Sequence, residues 1–309
     1  MTLPYVTAEE VARLLTYEHC IPLMRDAMIA LSQGRTRQLL RGIIDLDEDN
    51  AFGVMPGAVL GGAFGAKLVS VFPGNVARGG MSHQGVVIVF DPITGAPAGI
   101  VDGGEVTAIR TAAASAAATD ALARKDASHL ALLGYGEQAW RHLEAIRLVR
   151  PISMVSVWGR STDRAAAFAQ RAIATGIEAV ATATPAEAAS GADIICTVSA
   201  APEPILSSRD VADGTHINAV GSSRAGPSEI DEALVARARL FADHREGVLA
   251  QGAEFLRAKA AGLIGDDHVL GEIGQVFTGE LPGRISDRDV TIYKSLGSIV
   301  QDLSAASYV

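Results

Sequence analysis

A glycine-rich turn between an apolar strand and a helix constrains the fold of this chain more than any other stretch. Residues 129–133 predict a buried parallel strand, and residues 138–148 predict the helix that follows it. Between them lies a Gly-x-Gly-x-x-Ala pattern that ends at Ala139. In a dinucleotide-binding βαβ unit, such glycines permit a tight turn and let a pyrophosphate approach the helix N-terminus. The turn predicts four cofactor-binding residues, namely Gly134, Gly136, Glu137 and Gln138.

The next strand indicates which dinucleotide is bound. Residues 154–158 predict a second apolar strand at βαβ spacing, and it ends in Gly159-Arg160-Ser161-Thr162. An acidic residue at this strand end holds a free ribose 2′-hydroxyl, whereas arginine accommodates a 2′-phosphate. Because the position carries Arg160 and Ser161 and no acid, we predict that these two residues bind NADP(H). NAD(H) is the alternative, with Arg160 as a solvated surface side chain.

Downstream of the turn, predicted strands alternate with predicted helices. This alternation favours an α/β fold with a Rossmann-type, doubly wound parallel sheet, whose ligand lies beyond the carboxyl ends of the strands. Helices are predicted over residues 228–236, 248–261 and 290–306. The strand ends place four further residues near the cofactor, namely Thr197, Val198, Val220 and Gly221.

The N-terminal part has a different pattern. Two helices are predicted within residues 7–33, and short strands separated by turn residues follow, including a hairpin over residues 85–101. This pattern predicts a mainly antiparallel α+β domain. An alanine-rich helix over residues 105–123 leads into the nucleotide domain. We therefore predict a discontinuous first domain, residues 1–115 completed by 290–309, and a dinucleotide-binding domain over residues 116–289.

Composition excludes several classes of function. The 309 residues are 49% hydrophobic, 20% charged and carry a net charge of -9, which disfavours a nucleic-acid or acidic-membrane partner. Cys20 and Cys196 lie far apart and fit neither a disulfide framework nor a zinc site, and the histidines lack metal-ligand spacing. No leader or membrane-length apolar run is recognised. We expect a cytoplasmic protein that binds a small molecule and no metal.

Short sequence blocks in a characteristic order carry a family resemblance. The blocks are Met55-Pro56, Gly65-Ala66-Lys67, Pro73-Gly74-Asn75, Thr94-Gly95-x-Pro97, Thr107-x-x-Arg110-Thr111-Ala112-Ala113, Gly134-x-Gly136-x-Gln138-Ala139, and Lys294-Ser295-x-Gly297 leading to Gln301-Asp302. In them the sequence resembles the ornithine cyclodeaminase/mu-crystallin family over nearly its whole length. The resemblance implies an α+β substrate and dimerisation domain, hence a homodimer, and a Rossmann domain with an active site in the cleft between them. It also implies NAD(P)-dependent chemistry at the α-carbon of an amino or imino acid.

Three basic residues match the family's carboxylate-binding groups. By this resemblance Arg41, Lys67 and Arg110 hold the substrate carboxylate beside the nicotinamide, and Arg110 also contacts the cofactor. Chemically, a bidentate arginine fixes the plane of a carboxylate, and a lysine supplies a point charge that can polarise a reacting group. Each of the three could instead be a partner in a structural salt bridge.

One loop departs from the cyclodeaminase pattern. In cyclodeaminases, the loop after the strand that matches residues 217–220 carries an aspartate as general base. Here that loop reads Gly221-Ser222-Ser223-Arg224 and contains no acid. A serine is a poor base near neutral pH, so ornithine cyclisation is disfavoured. Ser223 then stands in the catalytic loop, which resembles that of mu-crystallin and related imine reductases.

A Ser-His-Gln tripeptide supports the same branch of the family. Ser82-His83-Gln84 is similar to the tripeptide of the mu-crystallin branch. Since histidine titrates near neutral pH, His83 could donate a proton to the developing amine or hydrogen-bond the substrate. Alternatively, His83 caps the loop before the strand that starts near residue 85. Ser82 is assigned to the cofactor site.

These features favour NADPH-dependent reduction of an α-imino acid, most simply a cyclic ketimine such as Δ1-pyrroline-2-carboxylate or Δ1-piperideine-2-carboxylate. The anion site would look the same in a reductase of acyclic imines, such as iminosuccinate reductase, or in an alanine-type dehydrogenase. Redox-neutral ornithine cyclodeaminase or hydroxyproline dehydratase chemistry is a second alternative. A non-enzymatic small-molecule binder is the third.

Overall fold

The chain forms two compact units. The computed structural model describes residues 3–47, 50–80 and 82–309, with all their side chains except those of Val76, Ala77 and His83. The first unit extends to Thr111 and includes Ser298–Val309, and the second is Ala112–Gly297. The first unit is thus discontinuous, but residues 112–115 and 290–297, which we expected in it, fall in the second.

The strands and the α-helices of the described residues are each numbered in chain order. The strands are β1 (Tyr5–Val6), β2 (Thr36–Gln38), β3 (Gly42–Asp45), β4 (Ala51–Val59), β5 (Phe64–Val71), β6 (His83–Phe90), β7 (Pro97–Asp102), β8 (His129–Leu133), β9 (Met154–Trp158), β10 (Glu178–Ala181), β11 (Ile194–Thr197), β12 (His216–Ala219), β13 (Arg239–Ala242), β14 (Val269–Glu272) and β15 (Thr291–Lys294). The α-helices are α1 (Ala8–Leu14), α2 (Tyr17–Ser32), α3 (Gly103–Leu122), α4 (Glu137–Ile146), α5 (Thr162–Ile173), α6 (Pro185–Ala189), α7 (Glu232–Arg237), α8 (Arg245–Gln251), α9 (Ala253–Ala260), α10 (Ile273–Phe277) and α11 (Ile299–Tyr308). Short 3-10 helices cover Pro73–Arg78, Ser208–Asp210 and Asp266–His268.

The first unit is built on a mixed sheet. Its strand order is β1-β7-β6-β5-β4-β2. Strand β3 also pairs with β4, as β2 does. Neighbouring strands are antiparallel except for β1 and β7, which are parallel. Helix α11 packs against α2 and against β4, β5 and β6. The predicted mainly antiparallel α+β arrangement is confirmed.

Helix α3 starts directly where β7 ends. Asp102 accepts a hydrogen bond at Oδ1 from the backbone N–H of Glu105 (2.8 Å), which satisfies one of the free amides of the first turn. Small alanine side chains, such as Ala112 and Ala116, let the helix be buried around most of its circumference. Thr107 and Arg110 are three residues apart and therefore project from one face of α3.

The second unit has the predicted parallel sheet. Its strand order is β10-β9-β8-β11-β12-β15-β13-β14, and all the pairs are parallel. Successive strands run outward from β8 to β10, and the chain then returns to place β11 on the other side of β8. This reversal is the topological switch point at which doubly wound sheets bind ligands.

The prediction of one long helix over residues 290–306 is wrong. Its first part is β15, which pairs with β12 on one side and β13 on the other. A strand buried on both faces lacks the alternation of a half-exposed strand, so its apolar run resembles a buried helix. Gly297 has a φ of 82°, and Ser298 caps the helix α11 that follows.

Two other predicted helices are shorter than expected. The predicted helix over 248–261 is divided at Gly252, which ends α8 and precedes α9. The predicted helix over 228–236 starts only at Glu232, because Ile230 forms a β-bridge with Leu206 just before it. There the carbonyl of Glu229 accepts hydrogen bonds from the amides of Ile205 (2.9 Å) and Leu206 (3.1 Å).

Candidate active site

A buried cluster of charged side chains lies in the first unit. Lys67, on β5, is 3.0 Å through Nζ from Oδ1 of Asp302, on α11. Nε of Arg110, on α3, is 3.0 Å from the same oxygen. Lys67 also donates to Oγ1 of Thr107 (2.5 Å), and Arg110 donates through a terminal nitrogen to Oε1 of Gln301 (2.9 Å). We call Lys67, Arg110, Gln301 and Asp302 the cationic cluster.

The protonation of the cationic cluster follows from its burial and its charges. The pKa of Lys67 is lowered from 10.5 to about 8, chiefly by burial; the positive charges of Arg110 and Arg41 act in the same direction, and Asp302 opposes them. Burial alone would raise the pKa of Asp302, but Arg110 and Lys67 outweigh that effect, so its pKa is lowered. At neutral pH the cluster thus contains two cations and one anion. Its net positive charge suits an anionic ligand.

Two polar atoms of the cluster are buried without a hydrogen-bond partner among the described residues. They are Oδ2 of Asp302, an acceptor, and Nε2 of Gln301, a donor. Leaving such an atom unsatisfied costs about 1 to 3 kcal/mol, so buried polar groups are normally paired. The cluster therefore offers both an acceptor and a donor to a polar ligand or a bound water.

For the remaining predicted site residues of the first unit, the structure gives less information about a role in the site. Arg41 precedes β3 and is partly buried, and its charge contributes to the lowered pKa of Lys67. Ser82 precedes β6, and its carbonyl accepts a hydrogen bond from the Phe72 amide (2.7 Å). The side chain of His83 lies outside the described part of the structure. The structure thus brings Lys67 and Arg110 together, and the roles of Arg41, Ser82 and His83 stay predictions.

The glycine turn of the second unit fits a dinucleotide. Gly134 has a φ of 139°, and a Cβ there would lie 2.6 Å from the carbonyl oxygen of Val198. A Cβ on Gly136 would meet nothing within 4 Å, and no side chain caps the start of α4. Oε1 of Gln138 is buried without a hydrogen-bond partner in the described chain. The turn therefore offers open space and uncapped amides to a pyrophosphate, whereas the Gln138 oxygen is free to accept a hydrogen bond from a donor.

The other predicted cofactor residues of the second unit lie at the same edge of its sheet. They end or follow β9, β11 and β12; β9 and β11 are the two strands on either side of β8, and β12 is next to β11. Ser161 caps α5 by accepting a hydrogen bond at Oγ from the Arg164 amide (3.4 Å), and Arg160 is exposed beside it. Ser223 is partly buried in the loop after β12. This edge gathers the predicted residues Arg160, Ser161, Thr197, Val198, Val220 and Gly221.

Sequence reasoning missed two members of the cationic cluster. Gln301 and Asp302 were recognised only as part of a family block, with no role assigned. Their signal was available, since two adjacent polar residues interrupt an otherwise apolar helix and both are fully buried in it. A buried carboxylate requires a cation or several donors nearby.

The other buried ionisable side chains do not suggest a metal centre. Within residues 3–47, 50–80 and 82–309, no group of three or more histidine, cysteine, aspartate or glutamate side chains could hold a metal ion. Burial lowers the pKa of His142 to about 4 and that of His216 to about 3, so both are neutral at physiological pH.

Among residues 3–47, 50–80 and 82–309, no helix is long and apolar enough to cross a bilayer.

Comparison with known proteins agrees with these features. Residues 4–309 match the model of the ornithine cyclodeaminase/mu-crystallin family. The ketimine reductase mu-crystallin of Mus musculus is 36% identical over 316 aligned residues, which cover 99% of this chain and 96% of the mouse protein. The family resemblance predicted from the sequence blocks is confirmed.

Solved structures show the same fold. The Δ1-pyrroline-2-carboxylate reductase of Thermococcus litoralis, in complex with NADH and L-proline, is 30% identical with a TM-score of 0.95, over 99% of this chain and 96% of that one. An archaeal alanine dehydrogenase dimer with bound NAD is 30% identical with a TM-score of 0.94, over 100% of this chain and 95% of that one. These similarities confirm the predicted α/β fold, and both similar structures contain a nicotinamide cofactor.

Proposed function

Because the chain belongs to the ornithine cyclodeaminase/mu-crystallin family, we propose that it reduces an α-imino acid to the amino acid with a nicotinamide cofactor. The observation that carries the proposal is the cationic cluster, in which Lys67 and Arg110 share one oxygen of Asp302. A single carboxylate does not neutralise two buried cations. A substrate carboxylate would supply the missing negative charge, and imino acids carry one beside the reacting carbon.

The residues of the chain bind and orient the substrate in this proposal. When bound, the reduced nicotinamide supplies the hydride that the imine carbon accepts. Arg110 and Arg41 fix the plane of the substrate carboxylate, and Lys67 contacts it as a point charge. With a pKa of about 8, Lys67 is protonated at neutral pH and can also supply the proton that the imine nitrogen needs. His83 is the alternative proton donor.

The substrate class we favour is a cyclic ketimine. Two similar proteins are named as reductases of such compounds, the mouse ketimine reductase and the Thermococcus Δ1-pyrroline-2-carboxylate reductase. The similar archaeal alanine dehydrogenase keeps an acyclic imino acid as the second candidate. Redox-neutral cyclisation is disfavoured, since the loop that contains Ser223 has no acid to act as a base.

The direct test is the oxidation of NADPH, and of NADH in parallel, followed by absorbance. The substrates are Δ1-pyrroline-2-carboxylate, Δ1-piperideine-2-carboxylate, iminosuccinate, and pyruvate with ammonia. We expect rapid oxidation of NADPH with a cyclic imine. Oxidation only with an acyclic substrate would replace the cyclic assignment. No oxidation with any substrate would contradict the reductase and direct the search to redox-neutral products of ornithine or to binding alone.

We further propose that Arg160 selects NADPH. Arg160→Ala removes a cation from the strand end where a 2′-phosphate would bind, so the Kd for NADPH should rise about tenfold while the Kd for NADH stays within about twofold. Arg209→Ala is the matched control, because Arg209 is a highly exposed arginine elsewhere in the second unit. An equal change for both cofactors, or a wild-type preference for NADH, would contradict the assignment.

The pH dependence of kcat/KM should reveal Lys67. The ammonium group is present below its pKa of about 8 and is lost above it, so kcat/KM should fall as the pH rises through that value. In Lys67→Arg the guanidinium stays charged throughout, and this alkaline loss should disappear from the residual activity. The ionisation of the substrate is the same for both proteins. An identical alkaline limb in both would exclude Lys67 as its origin.

We propose that the protein is a homodimer, formed through the exposed apolar edge around β3. Leu39, Ile43 and Ile44 are 71%, 40% and 56% exposed there, and apolar surface of this kind is typical of interfaces. Light scattering should give twice the chain mass of 32.0 kDa. A single-chain mass at micromolar concentration would contradict the dimer. A cytoplasmic location stays a prediction from the sequence.

A further inference from the structure

Glu229 is a buried carboxylate that the proposed reaction does not use. Its side chain has no solvent exposure, and its backbone is fixed by the hydrogen bonds from Ile205 and Leu206. Burial raises the pKa of Glu229, while hydrogen bonds from Ser199 act in the opposite direction. Moving a carboxylate from water into the protein interior costs free energy, so a carboxylate buried at this position must make compensating interactions.

The carboxylate of Glu229 joins two loops. Oε1 accepts hydrogen bonds from the backbone N–H and the hydroxyl of Ser199, both at 2.7 Å. Oε2 accepts one from the backbone N–H of Gly221 at 2.8 Å. Ser199 follows β11 and Gly221 follows β12, and these strands are neighbours in the parallel sheet. One side chain thus holds the carboxyl ends of two adjacent strands through charge-assisted hydrogen bonds.

The backbones at this edge are in close contact. A Cβ on Gly221 would lie 2.2 Å from the carbonyl oxygen of Ser199 and 2.4 Å from Oε2 of Glu229. The glycine turn after β8 makes a similarly close approach, that of Gly134 to Val198. A displacement of Ser199 or Gly221 would therefore disturb the surface that all three loops form, because tightly packed groups do not move independently.

We propose that Glu229 is a positioning residue that acts through Ser199 and Gly221 to set the loops which receive the nicotinamide half of the cofactor. The inference rests on the proposed function, in which the cofactor lies beyond β8, β11 and β12. The adenosine half is assigned to Arg160 and Ser161, which follow β9 and which Glu229 does not contact. Loss of the Glu229 carboxylate should therefore weaken binding of the whole cofactor and spare binding of its adenosine half.

The test compares NADPH with 2′,5′-ADP, which contains only the adenosine half. In Glu229→Gln the side chain keeps its size, but one acceptor becomes an NH₂ donor that faces the donors of a loop. By calorimetry, the Kd for NADPH should rise about tenfold, and the Kd for 2′,5′-ADP should stay within about twofold. Glu232→Gln is the matched control and should leave both unchanged, since Glu232 pairs with Arg257 near the surface.

Each outcome decides the assignment. An equal rise in the Kd for NADPH and for 2′,5′-ADP would indicate general damage to the fold. An unchanged Kd for NADPH would show that the loops do not need the carboxylate. If Glu229→Gln does not fold, Ser199→Ala is decisive, because it removes one donor and keeps two; a smaller NADPH-selective loss is expected, and its absence overturns the proposal. A wild-type protein that binds NADPH but reduces no imine contradicts the proposed function and leaves this inference standing.

Discussion

Replacing Lys67 with methionine is expected to lower kcat/KM for imine reduction about a thousandfold, by loss of a charged contact to the substrate and of a proton donor. Methionine fills most of the volume of the buried lysine stem, so the packing of β5 should be retained. Asp302 keeps Arg110 as a partner. Because the predicted cofactor residues of the second unit are untouched, the Kd for NADPH should stay within about twofold of wild type.

The measurement is steady-state kinetics with Δ1-pyrroline-2-carboxylate together with direct titration of NADPH. Lys125→Met serves as the control, because Lys125 is 82% exposed and its loss should change neither quantity. A fully active Lys67→Met variant would remove Lys67 from the mechanism. A variant that loses NADPH binding as well would indicate damage beyond the carboxylate site.

Asp302→Asn should lower the free energy of unfolding by about 3 kcal/mol, because it leaves two buried cations without their shared counter-ion. Activity should fall too, since Lys67 and Arg110 lose the group that holds them 3.0 Å from one oxygen. The folded state lowers the pKa of Asp302, so the carboxylate stabilises the fold at neutral pH and this contribution is lost as the pH falls through the lowered pKa. The stability difference between variant and wild type should therefore shrink in acid.

Chemical denaturation at neutral and acidic pH measures this difference. Asp213→Asn is the matched control, since Asp213 pairs with Arg237 and Arg288 at the surface and should contribute little. The double variant Lys67→Met, Asp302→Asn should recover part of the lost stability by removing one of the unpaired cations. An Asp302→Asn variant as stable as wild type would show that the cations do not depend on this carboxylate.

The sequence predicted the organisation of the second unit well because local signals there are strong. The turn requires a residue without a side chain at Gly134, where a Cβ would collide with Val198, and only a few local arrangements of strand and helix produce such a requirement. The misassigned strand β15 is fully buried, and full burial erases the periodicity that distinguishes a strand from a helix. Neighbours such as β12 and β13 determine the outcome, and they are distant in the sequence.

In the cationic cluster, too, individual residues could be predicted from the sequence, but their contacts with residues distant in the chain could not. Lys67 and Arg110 were recognised because they lie in family blocks and carry the charge that a carboxylate needs. That Asp302 pairs with both could not be read from spacing, since the partner comes from another region of the chain. Glu229 was missed for the same reason, because its partners Ser199 and Gly221 are gathered only by the sheet.

The separation between Lys67 and Asp302 has a consequence for synthesis in the cell. The two residues are 235 positions apart, and the whole second unit is made between them. As the chain leaves the ribosome, the first unit therefore exists for most of the time without α11 and with two basic side chains that have no counter-ion. Contacts of such long range form slowly, because the intervening chain must be ordered or looped first. The anion site is therefore completed late, when the second unit has already had time to fold.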